Sequence, residues 1–492
     1  MSRSPSIPLL FALTSAVAGC GDDSAGFTAT DSTGETGSTS TAPDSTTGDE
    51  SSGATTGATT GATDTSGAGT SSTGSTSGTT TDVDTDTDTT TDTGDGPPFA
   101  PELYVDGRTH SPITPYVAAS LAAIAEAEPR RDDVFAKIGA SSTVSKNFLH
   151  CFDDNAKIDL FGRDQLWDAI DTFRAVVDGT SSFGRTSLCA TVGWSAITAI
   201  KGDPSALQLE IDAADPRFAV ILYGTNDINL GSVHAYGSSM LTLVETLTSQ
   251  GVVPILTSIM PRDDNPDADA QVPIYNAVIR SIAQAHQIPF IDFHRELLDL
   301  EDHGLAGDGI HRAAAKAGAC VFDPGAMEYA ANIRNLLSLQ ALDRARITLG
   351  GVDELDPPLH QLGGAGLPGD PYVIPALPFG DRRDTSVDGV AEIDSYPGCN
   401  ADQDESGREL YYRFEVAETT TIRAIVIDRG EVDVDLHLVD ESASGGGCIA
   451  RSDGSLTVEL SPGTYHFVLD TYVSQGIPAA GEYLFVVERE PG

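Results

Sequence analysis

Three stretches of this chain carry the residue types that acyl transfer needs. Gly139-Ala140-Ser141-Ser142 follows a short apolar run and offers a hydroxyl, while Gly224-Thr225-Asn226-Asp227 follows another and offers an amide. Asp308-Gly309-Ile310-His311 offers a carboxylate close before an imidazole. A serine hydroxyl is a weak nucleophile until a base removes its proton. Imidazole suits that task, and a neighbouring carboxylate orients the ring and stabilises its charged form. Amide and backbone N–H groups can then hold the developing oxyanion. Taken singly, each stretch reads as a turn, because Gly, Asn and Asp are turn formers. Their combination points to Ser141, His311 and Asp308 acting together, with Ser142 open as the nucleophile if the turn is displaced by one residue.

Positioning such groups requires a scaffold that ends several strands at one place. Between about 101 and 350 the chain alternates apolar runs with amphipathic helical patterns, the signature of a parallel sheet covered by helices. Strands are expected over Val134–Gly139, Phe218–Tyr223, Val252–Met260 and Ile288–Phe293, and helices over Tyr116–Glu128, Ser239–Gln250, Asn276–Gln287 and Ala326–Arg346. In open sheets of this kind ligands bind beyond the carboxyl ends of the strands, where the three stretches fall. The segments Lys146–Asp154 and Ile259–Ile274 should border the site. Arg262, followed by Asp263 and Asp264, reads as a solvated loop rather than a substrate contact.

With these residues in this order, the segment from Val134 to Ala314 resembles the SGNH or GDSL hydrolases. The resemblance implies an α/β fold, a three-layer α/β/α flavodoxin-like domain that uses no metal or organic cofactor. It makes Ser141 the nucleophile, and Asp308 and His311 its partners. Ser141, Gly193 (in Val192-Gly193-Trp194-Ser195) and Asn226 become the oxyanion donors. The implied substrate is an ester-bearing small molecule or glycan, such as an acyl or acetyl group on a carbohydrate. One departure stands out: Gly139-Ala140-Ser141 replaces the family's Gly-Asp-Ser, and Ala140 cannot accept hydrogen bonds that would pin the turn. Two outcomes follow, an esterase with a looser turn and slower turnover, or an inactive envelope protein that binds glycans.

The 492 residues include 73 acidic and 28 basic side chains, a formal net charge of −45, which argues against nucleic acid as a partner. Arg3, the short apolar stretch Ile7–Val17 and Val17-Ala18-Gly19-Cys20 resemble a bacterial lipoprotein signal over 1–20. The resemblance implies lipidation at Cys20, attachment to a membrane through that N-terminal lipid, and a place in the bacterial cell envelope. Residues 21–98 are nearly all Thr, Ser, Gly, Asp and Ala, too poor in apolar surface to fold, and read as a disordered tether.

A domain is expected over 99–350, a Gly- and Pro-rich linker over 351–371, and over 372–492 an all-β, jelly-roll-like sandwich built from short alternating strands. The sandwich resembles the bacterial pre-peptidase C-terminal domain in Val434-Asp435-Leu436-His437-Leu438, Leu460-Ser461-Pro462-Gly463-Thr464-Tyr465 and Ala480-Gly481-Glu482-Tyr483. Alternation puts Asp433 and Asp435 on one face, read as a solvated strand face rather than part of a calcium site. Cys399 and Cys448 each border a strand and are expected to pair, as are Cys151 and Cys189, leaving Cys320. His110, His150, His234, His286, His294 and His303 have no metal-ligand spacing to a neighbouring Cys or His, so no metal site is expected. Oligomeric state is not legible.

Overall fold

The computed structural model describes residues 101–104, 107–351, 354–401 and 403–490. The expected signal, Cys20 and the tether lie outside them. Runs rich in branched and aromatic residues form β1 (Arg131–Gly139), β3 (Pro216–Leu222), β4 (Val253–Thr257) and β5 (Phe290–Ile291). They make a parallel sheet in the order β1-β3-β4-β5. Strands covered on both faces are apolar at nearly every position, and β3 and β4 are buried throughout, with Arg217 and Thr257 near their ends. Beside β1 the sheet continues only as a single parallel bridge, Gly139 to Ala190. There the Gly139 N–H donates to Cys189 O and the Thr191 N–H to Gly139 O, both at 3.2 Å.

Helices α1 (Pro115–Ala127), α3 (Trp167–Phe173), α4 (Ala196–Ile200), α5 (Ala206–Ala214), α7 (Val233–Ser249), α9 (Val272–Ala285) and α10 (Ala330–Leu349) flank the sheet. Thr114 caps α1 by accepting from the Val117 N–H, and Ser232 starts α7 ahead of the expected Ser239 by accepting from the Ala235 N–H. Short helices α2 (Ser141–Val144), α6 (Thr225–Ile228) and α8 (Pro266–Asp269) follow β1, β3 and β4.

The pair β2 (Ile158–Asp159) and β6 (Cys320–Val321) forms a small parallel ladder. The expected pairing of Cys151 with Cys189 is not what the fold makes: Cys151 bonds Cys320, and Cys189 is a free, buried thiol. The reason is placement. Cys189 lies against Gly139 at the sheet edge, where burial pushes its thiol up to about 12. Cys399 and Cys448 pair as expected.

The C-terminal part packs two sheets face to face. One has the order β13 (Ser455–Leu460), β10 (Thr420–Ile427), β17 (Glu482–Arg489), β8 (Phe379–Asp384). The other runs β12 (Cys448–Ser452), β11 (Val434–Val439), β14 (Gly463–Thr471), β9 (Glu409–Val416), β7 (Tyr372–Val373). A small hairpin, β15 (Val473–Ser474) with β16 (Ile477–Pro478), lies beside them. Pairing is antiparallel except β7 with β9. Leu436, Leu438, Phe467, Phe485 and Val487 fill the space between the sheets.

Asp435 is not on a solvated face. It is 1% exposed, and Asp433 falls just before β11. The outer face of this sheet lies with Ile393 and Tyr396 of the segment before β9, in a second small core that includes Tyr411 and Val468. The fold is therefore a parallel α/β unit followed by antiparallel β-sheets.

Candidate active site

Ser141 opens α2 where β1 ends. Gly139 is required there by space: a Cβ on it would sit 2.6 Å from Leu222 O of β3 and closer still to Thr143 Oγ1. The Thr143 and Val144 N–H groups donate back to Ala140 O at 2.8 and 3.0 Å, closing the turn. Ser141 is half-buried, and its own N–H has no partner among the described residues. Ser142 points inward and is 7% exposed, so Ser141 rather than Ser142 meets the imidazole.

The loop after β5 brings His311 to that hydroxyl, with Nε2 3.1 Å from Ser141 Oγ. On the other side of the ring, Nδ1 lies 2.7 Å from Asp308 Oδ2. Asp308 Oδ1 accepts from the His311 N–H at 2.9 Å and the Ile310 N–H at 3.1 Å, so one carboxylate fixes both the loop and the ring. Burial pushes the Asp308 carboxyl up, but these backbone donors and the His311 ring outweigh it and hold it below the usual range. Asp308 and His311 are both about half exposed (51% and 47%), so the site opens to solvent.

Asn226 stands at the start of α6. Its Nδ2 donates to Trp194 O at 2.8 Å, which uses one of its two amide hydrogens and ties α6 to the loop holding Gly193. Gly193 is exposed, and its N–H has no partner among the described residues. Asp227 braces the same two loops from within, Oδ1 accepting from the Ala196 N–H at 2.9 Å and Oδ2 from the Gly224 N–H at 3.0 Å. Burial raises its carboxyl. Gly224 must be glycine, because its φ of +122° is strained for any L side chain and a Cβ there would also crowd Ile259.

Two residues missed in the sequence sit directly behind the nucleophile. Arg312 and Arg334 are 9% and 1% exposed, and both donate to Ser142 O, Arg334 Nη1 at 2.9 Å. Arg334 Nη2 reaches Thr143 Oγ1 at 3.2 Å, and its guanidinium lies 3.8 Å over the Phe148 ring. Burial pushes Arg312 down to about 9 and Arg334 down strongly as well. These cations pin the turn that Ala140 cannot. Arg312 follows His311 directly, a signal in plain view, whereas nothing local marks Arg334.

Arg262 is not a solvated loop residue. It is 3% exposed, grips Asp264 through Nε and Nη2 at 2.7 and 2.9 Å, and donates to Thr225 O at 2.9 Å. Arg262 pulls the Asp264 carboxyl below its ordinary range. The Asp264 N–H in turn donates to Gly309 O at 3.3 Å, which links the Asn226 turn to the Asp308–His311 loop. Nearby, His303 Nδ1 lies 2.8 Å from Asp263 Oδ1. Asp263, Asp264, Asp302 and Asp308 rim a cavity of about 410 Å³.

Residues 174–315 match the model of the GDSL-like lipase/acylhydrolase family. The chain carries a GDSL/SGNH-family domain. The matched stretch of this GDSL-like domain includes Gly193, Asn226, Asp308 and His311 and begins after Ser141. Among solved structures, a GDSL-like lipase from Bacteroides thetaiotaomicron is 16% identical, covering 46% of this chain and 99% of its own, with a TM-score of 0.30. A catalytic mutant of an acetylxylan esterase from Geobacillus stearothermophilus is 14% identical, covering 44% and 94%, with a TM-score of 0.27. The pre-peptidase C-terminal domain of collagenase from Bacillus anthracis is 16% identical over 24% of this chain and 92% of its own, with a TM-score of 0.16. No curated protein matches the sequence.

Proposed function

We propose that this chain is an exported serine esterase, held to the bacterial envelope by acyl chains on Cys20, that removes short acyl groups from polar alcohols such as carbohydrates. The observation that carries the reading is the run of contacts from Asp308 Oδ2 to His311 Nδ1 (2.7 Å) and from His311 Nε2 to Ser141 Oγ (3.1 Å). In this reading His311 takes the Ser141 proton as Oγ attacks the ester carbonyl carbon. The carbonyl oxygen gathers the negative charge and is met by the Ser141 and Gly193 N–H groups and the free hydrogen of Asn226 Nδ2. The C–O bond breaks, His311 returns the proton to the departing alcohol, and Ser141 is left acylated. Water, losing a proton to His311, then releases the carboxylic acid and restores the hydroxyl.

The substrate class follows from the surroundings. An open site whose partners are half exposed admits a bulky alcohol, and an acidic rim repels anionic acyl groups. Arg312 and Arg334 on Ser142 O support turnover despite Ala140.

The test treats the membrane fraction of expressing cells with a fluorophosphonate probe and measures hydrolysis of short-chain aryl esters. The wild-type chain should label, sediment with the membranes and turn over the ester, while Ser141→Ala and His311→Ala lose both labelling and turnover. No labelling of folded wild-type chain would favour an inactive glycan binder, and labelling only in the soluble fraction would remove the lipid anchor.

A further inference from the structure

The outer face of the second β-sheet carries a buried group that the serine site does not use. Asp435 and His437 lie two apart on β11, so both point away from the apolar interior, and Glu405 descends on them from the segment before β9. Their exposures are 0% for Glu405, 1% for Asp435 and 0% for His437. One donor atom from each lies within 4.8 Å of the others, and Glu405 Oε1 is 3.7 Å from His437 Nε2.

Hydrogen bonding around this group is incomplete in a directed way. Asp435 Oδ2 accepts from Gln403 Nε2 at 2.7 Å and Arg451 Nη2 at 3.0 Å, and that nitrogen is shared with Asp453 at 3.1 Å and, more distantly, with Glu405 Oε1 at 3.8 Å. Asp435 Oδ1, both oxygens of Glu405 and both nitrogens of His437 have no hydrogen-bond partner among the described residues. The His437 ring is fixed by stacking on Tyr396, with centroids 3.5 Å apart. A buried polar atom without a partner is costly. A proton shared between Glu405 and Asp435 would relieve the carboxylates and leave the imidazole unserved. A divalent cation takes one lone pair from each of the three side chains and offsets both negative charges.

We propose that Glu405, Asp435 and His437 bind one divalent first-row transition ion, zinc by preference, which ties the segment before β9 to β11. Two carboxylates and an imidazole form a zinc-type donor set, whereas calcium takes 6–8 oxygens. Gln403 and Arg451 hold Asp435 from behind, leaving Oδ1 directed at the ion. Burial and Asp435 push the Glu405 carboxyl up, and burial pushes the His437 imidazole down, so an empty site is strained for both. The ion takes deprotonated carboxylates and a neutral imidazole, so its affinity falls with acid. Asp404 and Ser406, on either side of Glu405, are exposed, so the site lies one layer beneath the surface.

The full chain, stripped with chelator, is titrated with zinc and separately with calcium, and bound metal is counted after gel filtration. Wild type should hold one more equivalent of zinc than Glu405→Gln or His437→Gln, whose affinity at this site falls by more than about 100-fold, against roughly 10–100-fold for Gln403→Ala, which removes an outer partner. Zinc should raise the melting temperature of wild type and not that of Glu405→Gln. Cobalt in place of zinc should give a visible spectrum that His437→Gln alters. Equal zinc stoichiometry in wild type and both ligand variants, or calcium held in preference to zinc, overturns the proposal. Circular dichroism reports folding, and should neither ligand variant fold, Gln403→Ala and the wild-type cobalt spectrum decide.

Discussion

Replacing Arg334 by methionine separates what this guanidinium costs from what it does. Arg334 is 1% exposed, and its polar contacts are neutral, Ser142 O at 2.9 Å and Thr143 Oγ1 at 3.2 Å, with Nε unpartnered. Keeping an ion this deep costs several kcal/mol of desolvation. Against that stand about 1.5–3 kcal/mol from the charged hydrogen bond and about 2 kcal/mol from the stack on Phe148. Methionine keeps the volume and a favourable contact with the ring, and Ser142 O retains Arg312. The expected stability of Arg334→Met is within about 1 kcal/mol of wild type, or above it.

Activity should move the other way. Ser142 follows the nucleophile directly, so a looser α2 lets Ser141 Oγ drift from His311 Nε2. Since a displacement of about 1 Å can cost about 100-fold, a drift of part of that should lower kcat about 10-fold with KM nearly unchanged. The double variant Arg312→Met/Arg334→Met strips Ser142 O of both donors and should lose about 1–3 kcal/mol as well. Urea unfolding and aryl ester hydrolysis on the same preparations read both effects. Full turnover in Arg334→Met, or a stability loss beyond about 3 kcal/mol, would refute the idea that the arginines serve the turn at the expense of the core.

Asp308→Asn keeps an oxygen for the Ile310 and His311 N–H groups but turns an amide N–H toward His311 Nδ1. The imidazole then carries its proton on Nε2, facing Ser141, and turnover should fall by about 10²–10⁴-fold. Asp308→Ala should lose less, because water can reach the half-exposed ring; the reverse order in the ester assay would contradict this. Glu409 is fully buried, and burial raises its carboxyl from the ordinary 4.5 to about 7. A raised carboxyl is protonated in the folded state over a range where the unfolded chain is ionised. Its contribution is therefore complete below about pH 4.5 and is lost as pH climbs through about 7, a change of about 3 kcal/mol at most. Glu409→Gln, which can still accept from Tyr411 and the Glu392 N–H, should flatten the fall in urea midpoint between pH 5 and 8. An unchanged slope would place the titration elsewhere.

How far the sequence could be read differs between the two halves of the molecule for a physical reason. In the α/β unit, strands buried on both faces are continuously apolar, so Phe218–Tyr223 and Val252–Met260 announced β3 and β4, although β4 proved shorter. The polar residues following such runs were conspicuous, and Ser141, Asp308 and His311 could be picked out one by one. Their approach to hydrogen-bond distance is a tertiary fact that local pattern does not carry. Missed were side chains that act by burial against expectation. Arg262 and Arg334 look like surface residues, and their partners, Thr225 O and Ser142 O, are backbone atoms with no sequence signature.

The β-sheets hid more. β8 reads Phe-Gly-Asp-Arg-Arg-Asp, a poor strand pattern, yet Asp381 and Arg383 are buried there, 2.7 Å apart, and Tyr412 donates to the same carboxylate. Burial raises Asp381, and the adjacent Arg383 opposes it. On β11, Asp435 does point to the face opposite Val434 and Leu436, but Asp433 falls outside the strand, and His437 is its companion there. Whether that face meets water depended on a distant irregular segment, anchored by the Cys399–Cys448 bond and by Tyr396, whose hydroxyl donates to Asp470 at 2.6 Å.

The covering of sheets bears on what the sandwich is for. Along β10, Ile422, Ala424 and Val426 face the second sheet, while Ile425 and Ile427 belong to the same apolar core as α7 and α9; Leu484 and Val486 of β17 do likewise. The first sheet therefore has two dry faces, and the α/β unit supplies one of them. Polar contacts fix the register of that junction. Arg429 and Arg382 both reach Glu245 of α7, at 2.6 and 2.9 Å, Arg423 donates to Gln271 at 2.9 Å, and Gln284 of α9 donates to Gly380 O at 2.7 Å. Burial alone would raise the Glu245 carboxyl, but the two arginines more than compensate and hold it low. A binding module on a flexible arm needs its own finished surface. This sandwich lends a sheet face to α7 and α9, and α9 follows the loop in which Arg262 and Asp264 brace the Asn226 and His311 segments. Its first physical task is to complete the core on which that bracing rests.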